Sequence, residues 1–150
     1  MIRSFLAATA ALSLSTAVQA QTAAPAQVQP AEVALLPGAQ LSPDCGGLNN
    51  LTGRAWCVTA QLGQIGALAD AYIADLASKG WLTAGGDENR VVLIKRREAG
   101  GCDGMQMVAF YDTTKTAVAE LPAYLGFATT PGDVCAAQSA APAAAGTPPQ

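Results

Sequence analysis

Four cysteines and a scatter of carboxylates are the side chains in this 150-residue sequence best suited to covalent, metal or acid–base chemistry. There is no histidine. That removes Ser-His and Cys-His nucleophilic pairs in their usual form, and with them His-ligated metals. The cysteines stand at 45, 57, 102 and 135. Metal-binding pairs sit two to four residues apart as a rule, and redox pairs form Cys-x-x-Cys; neither spacing occurs here. An even number in an exported chain points to two disulfides. Three pairings are open. The favoured one is Cys45 with Cys57 and Cys102 with Cys135, because each joins sequence neighbours, and closing the shorter loop contributes on the order of 3 kcal/mol in the chain-entropy model.

The acidic side chains beyond Gly101 are Asp103, Asp112, Glu120 and Asp133. Hydrolysis by a carboxylate pair, with Asp103 and Asp112 as candidates, needs a defined separation and one unusually basic member. Turn and surface roles are the default for such residues. The basic cluster Lys95-Arg96-Arg97, with Arg90, falls on a strand pattern that sends Arg96 to the face opposite Lys95 and Arg97. It reads as a strand end guarded against aggregation, with an anion site as the sharper alternative. Gly100-Gly101-Cys102-Asp103-Gly104 joins two strands and lacks a following helix or Lys-Ser/Thr, so it is a turn and not a phosphate loop. No catalytic residue, metal or cofactor is expected.

The compartment is legible at the N-terminus. Arg3 is the only charge before Glu32, an apolar run covers 5–14, and Val18-Gln19-Ala20 supplies small residues at −3 and −1. That is the order of a secretory signal peptide, with cleavage expected between Ala20 and Gln21. The apolar run is short for a span of about 30 Å of hydrocarbon, and nothing later is long enough. The mature protein is expected in the periplasm or secreted. Removing Arg3 takes the formal net charge from −3 to −4. A mildly acidic chain has no electrostatic reason to bind nucleic acid or anionic lipid.

Residues 21–43 are rich in Ala, Gln and Pro and read as a linker, with an apolar patch at 33–36 able to dock on the domain. Residues 136–150 carry no charge and read as a disordered Ala/Pro-rich tail. A domain of about ninety residues remains, 44–135, a size at which a single core is marginal and disulfides help. Within it, Ile65, Leu68, Ala69, Tyr72, Ile73 and Leu76 recur at helical spacing. Gly80 follows as the left-handed stop, placing Leu76 and Trp81 where a Schellman motif packs them together. The helix is expected from about Leu62, after a strand over 56–59. Strands are predicted over 81–84, 90–97 and 105–112, separated by turns at 85–89 and 98–101. Pro122 interrupts any helix through 116–127, and 124–130 reads as a further strand or remains open. The expected fold is α+β: one main helix on a small antiparallel meander of three or four strands.

Strand 105–112 is apolar on both faces. Val108 and Phe110 point one way; Met105, Met107, Ala109 and Tyr111 point the other. One helix covers one face. The second is covered by the chain itself, through 118–127 or the patch at 33–36, or by a partner: an envelope protein, a small apolar ligand or a second copy. Met105, Met107 and Tyr111 are the candidate binding residues, methionine being adaptable to a ligand's shape. The expected function is a non-enzymatic binding or interaction domain. Its alternatives are an inhibitor of a periplasmic enzyme presenting the Cys45–Cys57 loop, and a hydrolase using the acidic residues.

The runs Cys-Gly-Gly-Leu-Asn-Asn (45–50), Arg-Ala-Trp-Cys-Val-Thr (54–59), Lys-Gly-Trp (79–81) and Gly-Gly-Cys-Asp-Gly-Met-Gln (100–106) resemble those of small exported alphaproteobacterial proteins of unknown function, of the sphingomonad type. The resemblance covers roughly 45–135. It implies a bacterial, exported protein and brings no catalytic residue with it.

Overall fold

The computed structural model describes residues 29–139. The signal peptide, its cleavage point, residues 21–28 of the expected linker and the tail beyond 139 lie outside the described residues. The helical stripe forms α1, Leu62–Ser78, with Leu68, Tyr72 and Leu76 buried. Its C-terminus closes as a full Schellman motif: Gly80 has φ 87°, Trp81 N–H donates to Leu76 C=O at 3.1 Å, and Gly80 N–H donates to Ala77 C=O at 3.0 Å. The N-terminus has no side-chain cap. Instead Leu62 N–H donates to Leu121 C=O at 2.7 Å and Gly63 N–H to Ala119 C=O at 2.9 Å. The loop before Pro122 thus satisfies two of the donors that a helix start leaves open.

The strands are β1 (Gln40–Leu41), β2 (Trp56–Gln61), β3 (Leu82–Asp87), β4 (Arg90–Arg96), β5 (Cys102–Tyr111) and β6 (Pro122–Thr130). They form one sheet of six, in the order β1-β2-β6-β5-β4-β3, with every pair antiparallel. This corrects the expectation of three or four strands. The meander β3 to β6 accounts for four. β2 then joins the far side of β6, pairing Trp56 with Phe127 and Gln61 with Pro122, and β1 adds to β2. Pro122 is the first residue of its strand, where a missing N–H is tolerated. The segment read as a linker contributes β1 at Gln40–Leu41, and Val33, in the patch expected to dock, is 2% exposed within the core.

Register divides the sheet into two faces. On the α1 side the row Val91, Met107, Phe127, Trp56 runs across four strands. Tyr72 and Trp56 pack on Phe127 with ring centroids 4.8 and 5.7 Å away, and Leu93, Met105 and Leu125 complete this core. The opposite face carries a smaller cluster, where Cys45, Ala55, Cys57 and Phe110 pack with Leu48, Leu51, Val108 and Tyr124. Its cover is the loop 45–55. Cys45, Gly46 and Gly47 all have positive φ (55°, 66° and 68°), a tight left-handed turn that folds the loop back onto the sheet. A Cβ on Gly46 would strike the Tyr124 ring, so only glycine fits there. Neither segment expected to cover the second face does so: 122–130 is itself a central strand, and Val33 and Leu36 pack on the α1 side.

A short α2, Val134–Ser139, follows. The two disulfides are Cys45–Cys57 and Cys102–Cys135, spanning 12 and 33 residues. The first ties the loop to β2 and the second ties α2 to the start of β5. No helix among the described residues is long and apolar enough to cross a membrane.

Candidate functional site

Met105 and Met107 are 0% and 2% exposed, beneath α1. Tyr111, at the end of β5, is half-buried on the same face. The two methionines are core, so the expected binding face is corrected: α1 covers the methionine side of β5. The face left partly open is the other one, and only over β3 and β4. There Leu82 pairs with Ile94, and Gly85 with Val92. Leu82 is 55% exposed, and Ile94 and Val92 are half-buried. Val134 of α2 covers the next position in the Leu82–Ile94 row, Gly104.

Cys102, Asp133 and Cys135 bring three ligand-type atoms within 4.8 Å of one another. Their chemistry is already spent. The two sulfurs are bonded to each other, and Asp133 Oδ1 accepts N–H bonds from Cys102 at 2.8 Å, Cys135 at 3.0 Å and Ala136 at 3.3 Å. The Cys102 N–H above all holds the Asp133 carboxyl below its ordinary range. Arg97 closes the knot, donating to Asp103 at 2.7 Å, Cys102 C=O at 3.1 Å and Gly132 C=O at 2.8 Å. The glycine-rich segment is therefore a structural turn, with Gly101 making room for the Asp133 carboxylate.

Asp103 and Asp112 flank β5 at opposite ends. Nine residue steps along the strand separate them by about 30 Å, at roughly 3.3 Å per residue, against the roughly 5–10 Å of a glycosidase pair. Asp112 is occupied locally: its bond from the Thr114 hydroxyl lowers its pKa. The basic cluster is likewise divided. Lys95 pairs with Glu32 at 2.6 Å and Arg97 with Asp103 at 2.7 Å.

Glu32 is the residue whose importance the sequence understates. One carboxylate oxygen accepts from Lys95 Nζ at 2.6 Å and the other from Trp81 Nε1 at 3.0 Å. Its backbone carbonyl accepts from Lys79 Nζ at 2.7 Å, while Lys79 also pairs with Asp75 at 2.6 Å. The Lys95 bond, followed by the Trp81 bond, lowers the Glu32 pKa. Farther along, Leu36 N–H donates to the buried Tyr72 hydroxyl at 3.3 Å. The available signal was a lone carboxylate directly before an apolar patch.

The clefts are shallow. One of about 360 Å³ at the β1–β2–β6 end is lined by Gln40, Thr59, Gln61, Glu120 and Tyr124. Its aromatic ring is held in place, since Tyr124 stacks on Phe110 at 5.4 Å and lies under Gly46. The sheet edges differ more sharply. β1 has two residues, between Pro37 and Pro43. β3 has six, all exposed, with no proline and no lysine; a bulge at Ala84 is its one irregularity.

Matches to this chain were found neither among protein-family models, nor among curated proteins, nor among solved structures. The fold and surface define the class alone: a disulfide-bonded α+β domain whose β3 edge no strand pairs among the described residues.

Proposed function

We propose that this is an exported, non-enzymatic interaction domain that binds a protein partner by accepting a strand at β3. One observation carries the reading: six consecutive exposed residues at a sheet edge that no strand among the described residues pairs, bordered by Leu82, Ile94 and Val92 on one face. Such an edge presents a row of open N–H and C=O groups, and proteins ordinarily guard it with charge, proline or brevity. β1 is guarded by brevity and flanking prolines; β3 carries only the bulge and, at its last residue, Asp87. Export rests on the signal-peptide pattern and agrees with two disulfides.

The alternatives have less support. The Cys45–Cys57 loop lies on the sheet through Leu48 and Leu51 and does not project as an inhibitory loop would. The carboxylates named for hydrolysis lie at opposite ends of β5. The test is site-specific photocrosslinking in the exported chain, from Leu82 and, as a control, from Ala74 on the exposed side of α1. A discrete protein adduct from position 82 alone is expected. Equal yields from both positions, or none from Leu82, would refute the reading.

A further inference from the structure

We propose that the strand completing the β3 edge is β3 of a second copy of this chain, running antiparallel to the first. The inference rests on the reading above and names its partner. An antiparallel pair of identical strands is what a two-fold axis generates, and a two-fold is the commonest symmetry of homo-oligomers. With the axis perpendicular to the sheet, the six strands of each copy continue into one sheet of twelve. Both open patches, Leu82 with Ile94 and Val92, then lie on the same side.

Charge favours this arrangement. The span 80–86 has no charged residue, so two copies of it do not repel. Gly85 and Gly86 carry no side chains to hold the backbones apart. The two ends of the β3–β4 hairpin differ in sign. Its tip carries Asp87, Glu88 and Arg90; its base carries Lys79, Lys95, Arg96 and Arg97, with Glu98 in the turn that follows. Within one copy Asp87 pairs with Arg90, Lys79 with Asp75, Lys95 with Glu32, and Arg97 with Asp103. Glu88 at the tip and Arg96 at the base have no ion-pair partner among the described residues. Antiparallel pairing carries the tip of each copy to the base of the other, bringing each Glu88 to the end that holds the second copy's Arg96. Parallel pairing would set like ends together.

Sedimentation velocity over a concentration series of the exported chain tests this. The wild type is expected to form a dimer that weakens with added salt. Leu82→Asp sets a carboxylate at the base of each copy against the Asp87 and Glu88 tip of the other and should raise the dimer dissociation constant by at least about tenfold, with near-ultraviolet circular dichroism unchanged. Glu88→Lys should also weaken the dimer, and Glu88→Lys combined with Arg96→Glu should restore it, which a general loss of folding would not do. A wild type that is monomeric at every concentration overturns the proposal. So does a dimer indifferent to Leu82→Asp and to the charge swap. A monomer that still yields a Leu82 adduct with a different protein overturns self-pairing while leaving the interaction reading standing; a monomer with no Leu82 adduct defeats both.

Discussion

Met107→Asp is expected to unfold this protein, whereas Leu82→Asp leaves it folded. Met107 is 2% exposed and lies under α1 in the row with Phe127 and Trp56. Losing the buried thioether side chain forfeits about 2 kcal/mol of transfer free energy. The new carboxyl must then be desolvated or protonated. Holding it neutral at pH 7, about 3 units above its ordinary pKa of roughly 3.9, costs about 4 kcal/mol at 1.36 kcal/mol per unit. Together these reach about 6 kcal/mol before any cavity or strain is counted, against a typical total stability of about 5–15 kcal/mol. Leu82, 55% exposed at the edge of β3, already has most of its side chain in water, and its replacement should change stability by about 0.5 kcal/mol or less. Urea titrations followed by tryptophan fluorescence read both, since Trp56 and Trp81 are buried. A Met107→Asp protein with a near-native midpoint, or a Leu82→Asp protein that unfolds, would show that the two sheet faces are assigned the wrong way round.

The Glu32 clasp should be acid-sensitive. Its pKa is lowered in the folded protein from 4.5, so its contribution is fully present above that unfolded value and disappears as pH falls through the depressed one. Glu32→Gln should lower stability by about 1 kcal/mol or less at pH 7, because the Lys95–Glu32 pair is partly exposed. The gap from wild type, measured by urea titration at several pH values, should narrow as pH falls below 4.5; a gap that widens on acidification would refute the assignment. Replacing both Cys102 and Cys135 by Ser should cost about 4 kcal/mol for the 33-residue separation in the chain-entropy model, and speed amide exchange at Cys102, whose N–H is held by Asp133. Unchanged exchange there would mean that the Asp133 knot stands without the bond.

Local patterns carried a good part of the fold. The i, i+3, i+4 stripe ending in Lys79-Gly80-Trp81 contains the information for α1 and its stop, because a Schellman closure needs only neighbouring residues. The strands 90–97 and 105–112 were legible from β-branched and alternating runs. Proximity along the chain favoured the disulfide pairing that the structure has. The β2–β6 pairing was not legible, because residues more than 60 apart meet there and nothing local records it; β1 was not, because a strand of two residues has no period to read. The segment 116–121 was obscure for a related reason: its carbonyls serve the distant start of α1.

The candidate site shows where such reading stops. Alternation along β5 sorts Met105, Met107, Ala109 and Tyr111 from Val108 and Phe110, since successive side chains point to opposite faces. It does not say which face the helix takes. That depends on the connection from β2 into α1 and on where β6 inserts, both tertiary facts. The sequence by itself determined the partition of residues between faces, the helix and its C-terminal stop, and it favoured one cysteine pairing of three. Only the tertiary structure decided that α1 lies over the methionines, that the loop 45–55 shields Phe110 and Tyr124, that Glu32 binds the preceding segment to Trp81 and Lys95, and that β3 ends the sheet with its edge unpaired. The reason is range: periodicity and turn chemistry act over a few residues, while coverage of a sheet face and completion of a sheet edge are set by segments tens of residues away.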